Sequence, residues 1–179
     1  MSDRLHIHTA TTVDAGSVAE LAERTFCEAF AADNSAEDME AYVGEAFSSD
    51  RLEAELGEDA NTFLLAFKGN ASRPLGYAKL RAGMVDPSVA GANPLELHRL
   101  YVAQTVIGCG VGSALMRACL DTARSGGYQT LWLGVWQHNE RAIMFYRKWR
   151  FETVGDRVFR LGSDEQLDFI MARPVESTG

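Results

Sequence analysis

Residues 105 to 116, TVIGCGVGSALM, set Gly108, Gly110 and Gly112 between an apolar run and a helical one. A strand, a bare turn and a helix start make an anion site, because backbone N–H groups and the positive end of the helix dipole converge where no side chain intrudes. The plainer use of such glycines is a tight turn that needs positive φ. Two familiar phosphate loops do not fit. A Walker A loop requires Lys after its last glycine, and none follows here. A dinucleotide fingerprint requires a third glycine, where Ser113 stands, and an acidic residue closing the next strand, which ends on Trp136.

Other reactive groups are sparse. His6 and His8 lie two apart on an expected strand without a cluster of Cys, Asp or Glu, so no metal site is expected. Cys27, Cys109 and Cys119 are odd in number and lack C-x-x-C spacing, which reads as free thiols rather than a disulfide framework, with Cys109 as packing. The net charge of −8 argues against a nucleic-acid partner. Residues 1 to 59 hold 15 acidic against 3 basic side chains, and the remainder 10 against 14. The plain reading of the acidic third is a solvated helix face; the sharper one is a region awaiting a cation, with the basic remainder awaiting an anion.

The elements that must position these groups follow from periodicity. A chain of 179 residues suits one domain, 1–179. It has no apolar stretch of about 18 residues and no charged-then-apolar N-terminus, so neither a membrane span nor a signal peptide is expected, and the protein is expected to be cytoplasmic. Arg4 to Thr9 alternates like a strand. Thr12 or Asp14 caps an expected helix to Phe30, Ser35 with Asp38 opens a second to about Phe47, and Asp50 caps a short third to Leu56. From Asn61 the pattern becomes a β-hairpin, followed by a loop at 83–94 and a strand at 95–102. After the glycine loop come a helix from Val111 to the Gly126-Gly127 stop, a strand at 129–136, a helix from Asn139 to Trp149 and two closing strands. The order β-α-α-β-β-β-α-β-α-β-β implies an α/β (α+β) mixed sheet with helices on both faces.

The runs LHRLYV (97 to 102), GCGVGS (108 to 113) and NERAIMFYRKWRF (139 to 151) resemble the GCN5-related N-acetyltransferases, across nearly the whole chain. TFCEAF, NSAEDMEAYVGEAF, LWLGVWQHNERAIMFY and QLDFIMA are similar to PaiA-type spermidine/spermine N-acetyltransferases. The resemblance implies a mostly antiparallel sheet of about seven strands with splayed central strands, and acetyl-CoA as cosubstrate. It implies that the amides of Ile107, Gly108, Cys109, Gly110, Val111, Gly112 and Ser113 hold the pyrophosphate. It places the pantetheine arm beside Leu100, Tyr101 and Val102, bonded by Asn139, with Ala142, Phe145 and Lys148 completing that wall. The family favours Arg or Gln three positions before Gly110, where this chain has Ile107; Gln104 is a substitute.

Amide formation from a thioester needs a neutral amine, a held carbonyl, oxyanion stabilisation and a proton for the thiolate. By resemblance, Tyr146 is the general acid and a backbone N–H at Tyr101 or Val102 the oxyanion donor. Glu96, beside the expected splay, is the chosen base, with His98 and His138 as rivals. For the acceptor, Phe26, Phe30 and Trp136 with Asp33 or Glu28 form an aromatic and acidic pocket able to hold an alkylammonium. The expected activity is acetyl transfer to a small primary amine such as a polyamine. The alternatives are a protein or peptide α-amine, an amino acid, or a CoA-binding regulator without catalysis, and a homodimer is left open.

Overall fold

The computed structural model describes residues 4–176. Seven strands form one sheet in the order β1 (Leu5–Thr9), β2 (Asn61–Lys68), β3 (Gly76–Ala82), β4 (Pro94–Val102), β5 (Thr130–Trp136), β7 (Asp164–Pro174) and β6 (Glu152–Leu161). Every neighbouring pair is antiparallel except β4 and β5. That parallel junction holds only at Pro94, Leu95 and Glu96 against Thr130, Leu131 and Trp132. A bulge sits just beyond it: Leu80 pairs with Leu97 and Lys79 with Arg99, so His98 is the extra residue. Bulges add local twist, and this one turns β4 away from β5.

Helices cover both faces. On one side α1 (Ala15–Phe30) buries Val18, Leu21, Ala22, Thr25 and Phe26, which recur at helical spacing as one apolar face. On the other, α4 (Val111–Ser125) buries Leu115, Met116, Cys119 and Ala123 against the sheet, and α5 (Glu140–Lys148) follows β5. Local signals fix the ends. The Asp14 carboxylate accepts the Thr11 N–H at 2.8 Å, one residue before the expected cap. Ser35 opens α2 (Ala36–Ala46) by accepting the Asp38 N–H. For α3 (Ser49–Gly57) the cap is Ser48, whose hydroxyl accepts the Arg51 N–H. Asp50, the residue expected to cap, instead stands in the first turn, where its charge complements the helix dipole.

α3 is fixed to the sheet by a buried charge cluster. Glu55 Oε2 lies 2.8 Å from Lys79 Nζ and 2.9 Å from Arg99 Nη1, and its other oxygen meets Arg51. Burial pushes the Glu55 carboxyl upward, but Arg99, Lys79 and Arg51 outweigh it and hold the group ionised. Lys79, 2% exposed, is pushed down to about 8 by its burial despite the Glu55 contact. Removing one member of a buried pair strands the other's charge. Glu55→Gln is therefore expected to lower the free energy of unfolding by about 3 kcal/mol, measured by urea denaturation at neutral pH.

Candidate active site

Past Glu96 and Trp132 the edges of β4 and β5 part, and two cavities meet at the gap. Leu100, Tyr101, Asn139, Ala142 and Tyr146 line both.

The larger cavity, about 460 Å³, runs along β4 to the glycine loop. Gly108 and Gly110 take φ of +84° and +86°, which only glycine adopts without strain. Gly110 is the N-cap of α4 and has no side chain to satisfy the first turn. The N–H groups of Val111, Gly112 and Ser113 are thus left for an anion. A Cβ on Gly112 would lie 3.6 Å from the Phe145 ring, so this glycine lets α5 pack close to the loop. Ile107, Gly108, Gly110, Gly112 and Ser113 line the cavity with Val102 and Phe145. Cys109, Val111 and Lys148 do not. The Cys109 side chain is exposed rather than packed, Val111 is buried beneath the loop, and Lys148 is exposed at the end of α5. Two side chains at the rim carry charge. Arg141 is the cavity's one cationic lining residue, and it stands where Ile107 offers none. The Glu28 carboxylate accepts the Gln104 N–H at 2.8 Å, tying the start of the loop to α1.

Tyr146 sits at the junction of the cavities, 8% exposed, and its hydroxyl has no hydrogen-bond partner among the described residues. Burial, helped by the neighbouring Cys119, raises its phenol well above the ordinary value, so it is a neutral proton donor. Asn139 caps α5, its side-chain oxygen accepting the Ala142 N–H at 3.2 Å, while facing both cavities.

The smaller cavity, about 120 Å³, lies on the α1 and α2 side. Its wall is aromatic: Phe26 packs 4.6 Å from Phe30 and 4.7 Å from Tyr42, and Phe30 meets Trp136 edge-on at 6.2 Å. Phe26, Phe30 and Trp136 therefore share a pocket as expected. Its charges are not the expected ones. Asp33 lines neither cavity and Glu28 faces the other; the charged lining is Arg99, Arg157 and Asp168. The acidic residues of α1 turn their charge to solvent or to the loop because the inward stripe of that helix is apolar.

Glu96 also departs from expectation. It is fully buried and lines neither cavity, with Oε2 held 2.7 Å from Arg81 Nη2 and Oε1 3.7 Å from Arg157 Nη1. A carboxylate paired this way ties three strands together, which replaces the exposed or pocket-facing role expected from alternation. His98 lines the smaller cavity, but burial and the surrounding cations push it down to about 2, keeping it neutral. His138 packs edge-on to Trp136 and lines neither cavity.

Asp168 is the residue that sequence reasoning passed over. It pairs in register with Trp136 on one side and Arg157 on the other. It is 7% exposed and has no hydrogen bond or ion pair among the described residues. Burial pushes its carboxyl up to about 6 against the pull of Arg157. The only signal in the sequence was a lone acid inside the apolar run QLDFIMA.

Comparison with known proteins decides the family: the Acetyltransferase (GNAT) family matches residues 22–151. The chain belongs to the GNAT acetyltransferase family. An uncharacterized N-acetyltransferase of Mycobacterium bovis is 35% identical over 162 residues, spanning 90% of this chain and 98% of the relative. One from Lactobacillus delbrueckii subsp. lactis is 31% identical over 156 residues, spanning 87% and 88%. Among solved structures, a PaiA N-acetyltransferase from Thermoplasma acidophilum in complex with coenzyme A superimposes with a TM-score of 0.76 at 22% identity, covering 96% of this chain and 99% of the other. A probable acetyltransferase from Staphylococcus epidermidis gives 0.74 at 16% identity, covering 97% and 100%. The seven-strand open sheet is thus that of GNAT N-acetyltransferases.

In this GNAT enzyme the elevated Asp168 carboxyl has a consequence for stability. Its folded value of about 6 exceeds the value of about 3.9 in an unfolded chain, so the folded state holds the proton more tightly. Below about pH 4 the residue costs nothing; between about pH 4 and pH 6 the fold loses up to about 3 kcal/mol, because the unfolded chain ionises there while the buried group still holds its proton. Asp168→Asn removes that loss. The variant is expected to melt above wild type at pH 7.5 and level with it at pH 4, as followed by thermal unfolding.

Proposed function

We propose that this enzyme transfers the acetyl group of acetyl-CoA to a small primary amine by direct attack at the β4–β5 gap. The observation that carries this reading is Tyr146, a neutral, unpartnered phenol at the junction of an amide-lined cavity and an aromatic one. Coenzyme A in the PaiA neighbour supports the choice of cosubstrate. The residues present suit it: uncapped amides at Val111, Gly112 and Ser113 with Arg141 for the diphosphate, and an unpaired β4 edge at Leu100 to Val102 for the pantetheine amides. The thioester would then lie between the two strands.

The chemistry follows from this placement. The acceptor arrives as an ammonium and gives one proton to a carboxylate or to water. Its nitrogen lone pair attacks the carbonyl carbon, and the oxygen that gains the electron pair is stabilised by a main-chain N–H of Tyr101 or Val102. Collapse re-forms the carbonyl and breaks the carbon–sulfur bond. The sulfur takes the Tyr146 proton, and the phenolate recovers one from the nitrogen, leaving the amide and free CoA thiol. Tyr146 also favours an enzyme over a CoA-binding regulator. Among amines, the PaiA-type resemblance favours a polyamine, and peptide or amino-acid α-amines share the same geometry of attack.

Tyr146→Phe keeps the ring and removes the proton. It is expected to lower kcat about 100-fold in an assay of released thiol, while acetyl-CoA binding measured by calorimetry changes less than about threefold. Equal rates would remove Tyr146 from the mechanism.

A further inference from the structure

The acceptor cavity carries a charge pattern that a simple amine leaves half used. Asp168 and Arg157 are direct cross-strand partners on β7 and β6, and both line it. Neighbours at such positions normally pair. These two do not: no ion pair within 4 Å joins them. Instead the Arg157 guanidinium leans over Gly134, where a Cβ would come within 2.6 Å of Nη2, and lies 5.7 Å from the Trp132 ring centroid. Among the described residues its one ion-pair partner is Glu96 at 3.7 Å, too long for a hydrogen bond, with Asp86 acting on it only at longer range, and Glu96 Oε1 is itself a buried acceptor without a partner. Asp168 is more than nine-tenths buried and equally unpartnered. One buried anion and one loosely held guanidinium thus face a single space from adjacent strands. Such groups are costly unless something pairs with both.

We infer that the acceptor is an amine that also carries a carboxylate, an α-amino acid, with its ammonium on Asp168 and its carboxylate on Arg157. The two charges of an α-amino acid are separated by one carbon, so it inserts between two unpaired partners that stand side by side. Arg99 lines the same cavity, but its charge is committed to Glu55, which leaves Arg157 as the guanidinium open to a carboxylate. The side chain of the acceptor faces Phe26, Phe30 and Tyr42. The ammonium on Asp168 lies in the same cavity as Tyr146, the phenol that serves the thiolate.

This inference rests on the acetyl-transfer reading above, and one experiment separates the two. Thiol release from acetyl-CoA is measured with L-phenylalanine and L-methionine, with the amine each would give on decarboxylation, with the α-amide of each, and with spermidine. The amino acids are expected to exceed their decarboxylated and amidated counterparts by about 100-fold in kcat/KM. Arg157→Gln is expected to bring that ratio to within about threefold of one, because the amino acids lose a carboxylate partner that the amines never used. The ratio is internal to each protein, so partial unfolding of the variant cancels. Turnover of spermidine or the decarboxylated amines equal to or above that of the amino acids overturns the inference and leaves acetyl transfer standing, as does an unchanged ratio in Arg157→Gln. Thiol release that no acceptor raises above the acceptor-free background overturns both readings.

Discussion

The cleft at the centre of the sheet exists because β4 and β5 do not stay paired. Three residue pairs join them, and the bulge at His98 then turns β4 aside. A sheet that opens in its middle exposes main-chain donors and acceptors that need a partner. The opening is stabilised from below. Glu96, at the last joined pair, is held by Arg81 from β3 and approached by Arg157 from β6, so charges from both halves of the sheet converge where the halves separate. Glycines on either side keep the region passable: Gly112 admits Phe145 and Gly134 admits Arg157.

A second buried carboxylate works in parallel. Glu55 ties α3 to Lys79 on β3 and Arg99 on β4, beneath the aromatic wall. Arg99 also lies 5.0 Å over the Phe47 ring, so the cation is desolvated on one side by an aromatic face and neutralised on the other. The cavity is thereby floored by groups whose charges are largely spent on one another. Asp168 stands apart from this pattern because no basic group among the described residues is within ion-pair reach.

Much of this was written locally in the chain. The succession of elements along the chain and the glycine loop follow from period, caps and turn residues, each a matter of neighbours within a few positions. Ser48 displaced Asp50 as a cap only because two good cap residues lie two apart and the hydroxyl of the first reaches Arg51. The failures share a different cause. Glu96 looked like an exposed or pocket-facing acid, yet its partners are Arg81 and Arg157, one on the adjoining strand and one near the end of the chain. Asp168 was passed over within an apolar strand. Its position depends on β7 inserting between β5 and β6, an order that chain sequence does not announce. The acidic excess of the first third suggested an acidic pocket, but a count of charge carries no direction, and the inward face of α1 is apolar.

The brevity of the β4–β5 contact gives the sheet a hinge line. β1 to β4 form one stiff leaf and β5, β7 and β6 another, each held by long antiparallel ladders, whereas the seam between them spans three pairs. A slight rotation about that seam changes the width of the cleft while leaving each leaf intact. The aperture between the leaves is therefore set by a seam of three residue pairs and by the Glu96–Arg157 contact that crosses it.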